Sequence, residues 1–567
     1  MPTLRRITSV AIANDKWLAG RGLITGLLTG AVAVGVAQLV AGVTGPGGSP
    51  VVAVGSMSID FTPPPVKNFA ITAFGSNDKL VLVSGILVVL ALFAAVVGVA
   101  AVRRFSRGLA GLAIFAAIGL IAVVTRPTSS VTDVLPTLAG AAAGAIALYY
   151  LAARAGAPAR TAPGSGAPAG TGIRAGTGQQ DGDSRPGGGT SAPPWPPQPS
   201  GQGWPAPVSA GPERRRFLVV SAAAAGTAAV AGFGGRLLDE RSSVAQAQAT
   251  LRVPAPAQPG PSLPAGTDFK IPGLSSFITP NNTFYRVDTA IVLPEVPPAN
   301  WSLRIHGMVQ RQMVVSFKEL LRRPLIEDYI TLCCVSNTVG GPYIGNARWV
   351  GASLASLLRQ AGIRAGADQL LCTSADGFTS GTPVQAVMDG RDAMLAVAMN
   401  GSALPVAHGF PVRMVVPGLY GYVSACKWIT DIEVTTFAAN HAYWTVRGWD
   451  QQAPVKTESR IDIPNGQAPL KPGRITVAGV AWAQHKGIAA VEARVDNGPW
   501  HEARLAAVPG LDTWRQWMWE WEAAAGNHVI QARATDKTGY TQTPAQAPPE
   551  PNGATGYPGV SVVVSHA

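Results

Sequence analysis

Charge is scarce in this sequence. Asp, Glu, Lys and Arg together supply 13% of its 567 residues, against roughly 25% in an ordinary soluble domain, and the mean hydropathy is positive at +0.21. Histidine is scarcer still. There are seven, the first being His306, so nothing upstream can hold a haem between paired imidazoles, the usual arrangement in a membrane electron carrier. The four cysteines, Cys333, Cys334, Cys372 and Cys426, form no CxxC and no CxxCH, which excludes zinc-finger spacing and covalently attached haem. There is no GxxxxGK[ST], no HExxH, no GxSxG and no strand-linked GxGxxG. Phosphate-loop, zincin, hydrolase-elbow and dinucleotide-binding chemistries therefore have no motif to rest on.

The formal charge of +12 is unevenly spread. Residues 1–250 carry 19 Lys/Arg and 9 Asp/Glu, and residues 251–567 carry 25 and 23. The basic excess flanks apolar runs and shows no aromatic-interleaved basic face, so the pattern predicts a membrane partner and no nucleic acid. Four runs, near 22–43, 80–101, 108–125 and 133–153, each match the roughly 20 residues a helix needs to cross about 30 Å of hydrocarbon. Arg5, Arg6, Lys16 and Arg21 precede the first run. Arg103, Arg104 and Arg107 separate the second from the third, and Arg154 and Arg160 follow the fourth. The positive-inside rule places these segments and the N-terminus in the cytoplasm, predicting a multi-pass plasma-membrane region over 1–155.

Residues 156–212 are mostly Gly, Pro, Ala, Ser and Thr, as in "SAPPWPPQPSGQGWPAP", a composition that cannot bury a core and reads as a disordered linker. In 213–248, Arg214, Arg215, Phe217 and Leu218 fit the twin-arginine export pattern RRxFL ahead of a weakly apolar Ala/Gly run. An ordinary fifth transmembrane helix is the alternative. Either places everything beyond about 250 outside the cytoplasm, and twin-arginine export favours a folded, cofactor-loaded cargo. Residues 265–465 mix short strands, helices and Gly/Pro turns in an α+β texture. In 470–567 alternating strands take over: "VEARVD" sets Val491, Ala493 and Val495 against Glu492, Arg494 and Asp496, the pattern of a β-sandwich.

Two features carry candidate chemistry. "TLCCVSN" holds Cys333 and Cys334 side by side, and in an extended segment neighbouring side chains face opposite ways. "HGFPVRMVVPGLYGYVSACKW" gathers His408, Arg413 and Lys427 on a Gly- and Pro-rich scaffold. That set suits an anionic, hydrogen-bonding ligand, although a buried strand with cations at its ends would read the same way.

Taken in order, "NNTFYR", "TLCCVSN", "ARWVG" and "HGFPVRMVVPG…KW", with "DNGPW", "TWRQW" and "ATDKTG" downstream, resemble the sulfite oxidase family of molybdopterin enzymes, in its bacterial membrane-anchored branch. The resemblance spans about 265–567. It implies a sulfite-oxidase-type α+β molybdopterin domain followed by an immunoglobulin-like β-sandwich that often pairs subunits, hence a homodimer. It implies a molybdenum–molybdopterin cofactor ligated by the Cys334 thiolate, with Asn337 completing the motif and Cys333 left as a core residue. Asn282, Tyr285, Arg286, Thr373, His408, Arg413, Ala425, Cys426 and Lys427 would hold the pterin and its phosphate. The implied reaction is two-electron oxygen-atom transfer with a small-molecule substrate. With no haem motif, electrons would pass to or from a separate carrier or the quinone pool. Cys372 and Cys426 read as core residues, or as a disulfide outside the cell.

The chain departs from the family where substrate would bind. Sulfite oxidases follow CxxN with two arginines; here Thr338 and Val339 follow Asn337, and Trp449 falls where the family has a tyrosine. Arg348, Trp349, Arg447 and Trp449 are the candidate pocket residues. The expectation is a substrate less charged than sulfite, with sulfite dehydrogenation as the alternative, and a non-catalytic surface-binding or adhesion protein as the alternative from another class.

Overall fold

The computed structural model describes residues 2–44, 48–63, 66, 69, 78–126, 131–155, 218–227 and 243–565. The linker 156–212 and the Arg214–Arg215 pair lie outside them. Among the described residues, four helices are long and apolar enough to cross a membrane: Leu18–Thr44, Leu80–Arg103, Phe105–Val124 and Val131–Ala155. Each begins or ends within a few residues of the apolar run that predicted it. A further helix, Pro50–Phe61, starts on a proline behind the Ser49 cap. The described part of the expected fifth span is Leu218–Thr227, whose ten residues rise about 15 Å, half a hydrocarbon core.

The described residues fall into two compact units. The first comprises the described residues within Met1–Ala33, Leu90–Ala113 and Ala142–Ala229. Within it the helices approach at small residues: a Cβ on Gly26 would lie 1.9 Å from the Ala94 carbonyl oxygen, so only glycine lets the two backbones meet there.

The second unit comprises Val34–Val89, Ile114–Ala141 and Val230–Ala567. Its larger core is shared by two five-stranded sheets. One is ordered Met313–Ser316, Ser302–Gly307, Ile429–Thr435, Gln369–Ser374, Thr379–Pro383. The other runs Leu325–Cys333, Ile344–Ser353, Met394–Met399, Ser402–Ala403, with Arg413–Val415 also on Met394–Met399. The central strand "MLAVAM" is buried on both faces, as its unbroken apolar run requires. The helix Leu354–Ala361 is capped by Ser353, whose Oγ accepts the Ser356 N–H, and ends at Gly362, φ 73°, the left-handed position that favours glycine.

Two four-stranded antiparallel sheets follow: Glu458–Ile463, Gly473–Trp482, Arg515–Ala523, Arg504–Leu505, and His501–Glu502, Ile488–Val495, Gly526–Asp536, Gly559–Val564. Their inner faces share a core that includes Val491, Ala493, Trp517, Ile530 and Ala532, the alternation seen in "VEARVD". These sheets begin at Glu458, upstream of the expected 465–470 boundary, because Glu458–Ile463 pairs with Gly473–Trp482.

The second pair of sheets buttresses the strand Leu325–Cys333. Thr331 donates its hydroxyl to Asn346 Oδ1 (2.9 Å) and receives the Trp514 N–H (2.7 Å). Its carbonyl receives Gln484 Nε2 (3.1 Å) and its N–H reaches the Asp512 carbonyl (2.9 Å). Burial, reinforced by Asp392 and Asp512, raises the Asp328 carboxyl to about 7, and burial lifts Glu458 to about 8. Both folded pKa values lie above their unfolded ones. Each group therefore adds stability at low pH that is lost as pH rises from about 4 through 7 or 8, at up to about 1.4 kcal/mol per pH unit and group. Thermal unfolding is expected to shift downward between pH 5 and pH 8. Asp328→Asn, which still accepts the Tyr329 N–H, should flatten that slope; an unchanged slope would contradict it.

Candidate active site

The strand Leu325–Cys333 ends where the two cysteines diverge. Cys333 is fully buried in the main core. Burial pushes its thiol far up, and the Glu458 carboxylate pushes it further. Cys334 is raised by burial too, but the Ser336 amide and hydroxyl and the Lys427 ammonium pull it back. Against burial Cys333 has the Arg460 cation, whereas Cys334 has the Ser336 amide and hydroxyl as well as Lys427, so the surroundings of Cys334 oppose a thiolate less. Cys333→Ala is accordingly expected to leave metal content unchanged and to cost about 1 kcal/mol of stability. Elemental analysis and denaturation measure the two effects, and lost metal would contradict the assignment.

After Cys334 the chain turns sharply. The Asn337 N–H donates to the Cys334 carbonyl (3.0 Å), and Asn337 Oδ1 accepts the Tyr343 N–H (2.8 Å). A Cβ on Gly341 would lie 2.7 Å from that Oδ1, which explains the glycine. Asn337 Nδ2 is buried without a hydrogen-bond partner.

Around this turn stand residues brought from distant parts of the chain. Tyr285 lies within electrostatic reach of Cys334 and Arg413, and its phenol is raised by burial and then by the cysteines. Arg413 is 3% exposed and donates to the His408 and Ala425 carbonyls (3.3 and 3.4 Å). Its guanidinium lies 5.0 Å from the Trp349 ring centroid, and its Nε is buried without a partner. Burial lowers it to about 10. His408 meets the Asn281 carbonyl (3.1 Å), so Nε2 carries the proton. Burial, followed by Arg413 and Lys427, lowers it to about 4, leaving a neutral ring. Lys427, lowered to about 8 chiefly by burial, donates to Asp288 (3.0 Å) and to the Ala407 carbonyl (3.3 Å). Arg286 shares the same Asp288 oxygen at 2.9 Å.

The other expected residues are placed differently. Asn282 is exposed. Thr373 is on the other five-stranded sheet, its carbonyl receiving the Thr430 hydroxyl (3.4 Å), and it joins none of the hydrogen bonds just described. Cys426 is buried, its carbonyl accepting the Met414 N–H (2.8 Å), and both it and Cys372 are free thiols. Trp349 lies under Arg413, but its neighbour Arg348 turns to Glu327 at 3.5 Å. Arg447 covers the Tyr443 ring at 3.6 Å. Trp449 packs on Tyr422 and Trp444 at 5.9 and 6.1 Å. Asp288 and Ser336 were not foreseen: Asp288 stands 139 positions before Lys427, and nothing local marks either residue.

Among the described residues, no three His, Cys, Asp or Glu side chains converge as metal ligands. The arrangement offers instead one thiol, two buried cations and unpartnered buried N–H groups. A family model described as "Oxidoreductase molybdopterin binding domain" matches residues 290–444. Sulfite oxidase of Gallus gallus is 31% identical over 327 residues, covering 48% of this chain and 69% of that protein. The chain belongs to the sulfite oxidase family. It is a molybdenum cofactor-dependent oxidoreductase, which displaces the surface-binding alternative. Mitochondrial sulfite oxidase of Mus musculus is 30% identical over 295 residues, 44% of this chain, and the chain spans about half, 53%, of that relative's length. The uncharacterized oxidoreductase YuiH of Bacillus subtilis is 31% identical over 150 residues, 26% of this chain and 72% of that one. Among solved structures, the sulfane dehydrogenase SoxCD of Paracoccus pantotrophus aligns at 24% identity with a TM-score of 0.45, covering 51% of this chain and 84% of that one.

Proposed function

We propose that the chain is a membrane-tethered, extracytoplasmic member of the sulfite oxidase family, that Cys334 is the protein ligand of its molybdenum, and that its substrate is an S- or N-oxide less charged than sulfite. The observation that carries this reading is the asymmetry of the cysteine pair, with Cys334 alone set beside Lys427 and Ser336. The residues fit an anionic metal–pterin group: Arg413 Nε and Asn337 Nδ2 are buried donors without partners, and buried unpaired donors are costly unless a ligand accepts from them. Arg413, Lys427, His408, Tyr285 and Arg286 would hold the pterin and phosphate, with Asn282 and Thr373 at its margin and the backbone of Ala425 and Cys426 beneath.

When bound, the molybdenum cofactor supplies two-electron oxygen-atom exchange with substrate. This chain contributes a soft thiolate at Cys334, two fixed cations and a neutral His408 that can accept at Nδ1. Asp288 keeps Lys427 and Arg286 aimed without cancelling both charges. Beyond Asn337, Thr338 is exposed and Val339 half-buried. Neither offers a charge to offset desolvation of a dianion. Sulfite remains a second reading because the mammalian and avian relatives are named for it. The four apolar helices and their basic flanks support a tether with a cytoplasmic N-terminus. The sandwich supports an immunoglobulin-like pairing domain, and reduction of an S- or N-oxide would draw its two electrons from a separate carrier or from quinol, whereas sulfite oxidation would pass them the other way. Turnover of the purified full chain with an artificial redox dye should be faster with methionine sulfoxide or other neutral S- and N-oxides than with sulfite. Preference for sulfite would overturn the substrate assignment.

A further inference from the structure

The strands Leu325–Cys333 and Ile344–Ser353 run antiparallel, pairing Cys333 with Ile344 at one end and Leu325 with Ala352 at the other. The second end lies about 25 Å along the ladder from the cysteines, at about 3.3 Å per residue. A cavity of ≈ 350 Å³ opens there, lined in part by Arg323, Ser353, Ser356, Arg359, Arg391 and Asp392. None of these residues belongs to the Cys334 site.

The charges in this cavity are unevenly committed. Arg391 is clasped by Asp389 (Nε to Oδ1, 3.0 Å) and donates to the Pro417 carbonyl (2.6 Å). Arg323 gives one Nη2 bond to Gln360 (2.9 Å) and feels Glu319, but its Nε is buried with no acceptor. Among the described residues Arg359 makes no hydrogen bond or ion pair. The helix Leu354–Ala361 opens into the same space, with Ser353 as its cap, and so adds the positive end of its dipole. Against these stand Asp392 in the lining, raised by burial and by Asp512, Asp389 on Arg391, and Glu319 near Arg323. A buried guanidinium N–H without an acceptor is unfavourable in water-poor surroundings. The Arg323 Nε–H and the Arg359 fork around one hollow match the geometry of an oxyanion.

The geometry points to a second anion site: the cavity between Arg323 and Arg359 binds a small oxyanion, sulfate or the phosphate or sulfonate group of a small molecule, apart from the reaction centre. The Leu354 and Ser356 N–H groups are taken by the Ala393 carbonyl and Ser353 Oγ, so the Ser353 and Ser356 hydroxyls supply the further donors, and Asp392 opposes the anion.

The test titrates sodium sulfate, and in a second arm inorganic phosphate, into the detergent-solubilised full chain with its cofactor, at ionic strength held constant with chloride. Calorimetry and thermal unfolding give the two readouts. Saturable one-to-one binding is expected, with a rise in unfolding temperature. Arg359→Gln should weaken it at least about tenfold, the equivalent of one charge-assisted contact, and Arg323→Gln with Arg359→Gln should abolish it. Molybdenum content and dye-linked turnover should stay at the parent level. Arg359 is exposed, so its substitution leaves the fold intact and keeps the comparison valid. Absence of saturable binding, or equal affinity in the Arg359→Gln protein, would overturn the proposal. The second result would assign the anion to another site such as that of Cys334.

Discussion

Replacing Cys334 by serine is expected to cut oxygen-atom transfer by more than about 100-fold, the upper end of what loss of a residue merely supporting a metal ligand costs. Serine keeps the size and the backbone turn, so the Asn337 N–H still has its carbonyl and the fold should melt within about 1 kcal/mol of the parent. What is lost is the thiolate. A serine hydroxyl stays protonated where Ser336 and Lys427 now favour an ionised sulfur, and an oxygen is a harder ligand than molybdenum on a dithiolene prefers. The effect should belong to Cys334 alone, since Cys333 lies in the core beside Glu458. Steady-state turnover of the full chain, with parent and Cys333→Ala as controls, measures it. Near-parent turnover in the serine variant would remove Cys334 from the chemistry.

Neutralising the buried cations should release the cofactor. Arg413→Gln and Lys427→Gln each remove a charged donor from a nearly closed site. Charge-assisted hydrogen bonds of this kind are worth about 1.5–3 kcal/mol, so each substitution should weaken cofactor retention by about 10- to 150-fold, read as pterin fluorescence released from the purified protein. Lys427→Gln also leaves Asp288 with Arg286 as its remaining described ion-pair partner, which by itself could lower stability. The pair Asp288→Asn with Lys427→Gln separates the two effects, because it removes the carboxylate together with the ammonium. If Lys427 acts on the anionic cofactor, stability returns in the double variant while retention stays low. Recovery of both would show that the lysine serves only the fold.

What could be read from the sequence follows the range over which each physical signal acts. The four long apolar helices were legible because twenty apolar residues in a row leave no other economical structure. Pro50–Phe61 was not, since twelve residues between two long runs have no such length signature. Strand alternation predicts that Cys333 and Cys334 face different ways, and the structure gives them different neighbours. The same alternation, applied to Arg348 and Trp349, would have parted them: the structure sends Trp349 beneath Arg413 and Arg348 to Glu327. The sandwich was legible from "VEARVD", but its first strand, "ESRIDI", was hidden by the Pro- and Gly-rich loop that follows, and only pairing with Gly473–Trp482 assigns it. Asp288 lay beyond reach for a different reason. Its importance is a distance to Lys427 created by folding, and a lone Asp two residues after an Arg looks like any surface pair. The second anion cavity is likewise a tertiary product, assembled from a turn, a helix start and a hairpin that are unremarkable singly.

The central claim is that one sulfur of this chain, that of Cys334, is bonded to molybdenum. X-ray absorption at the molybdenum edge of the purified full chain counts that bond directly. The account predicts about one molybdenum per chain with its pterin sulfurs and one further sulfur, and a sulfur count lower by one in whatever molybdenum the Cys334→Ser protein retains. The same sulfur count in both proteins would contradict it.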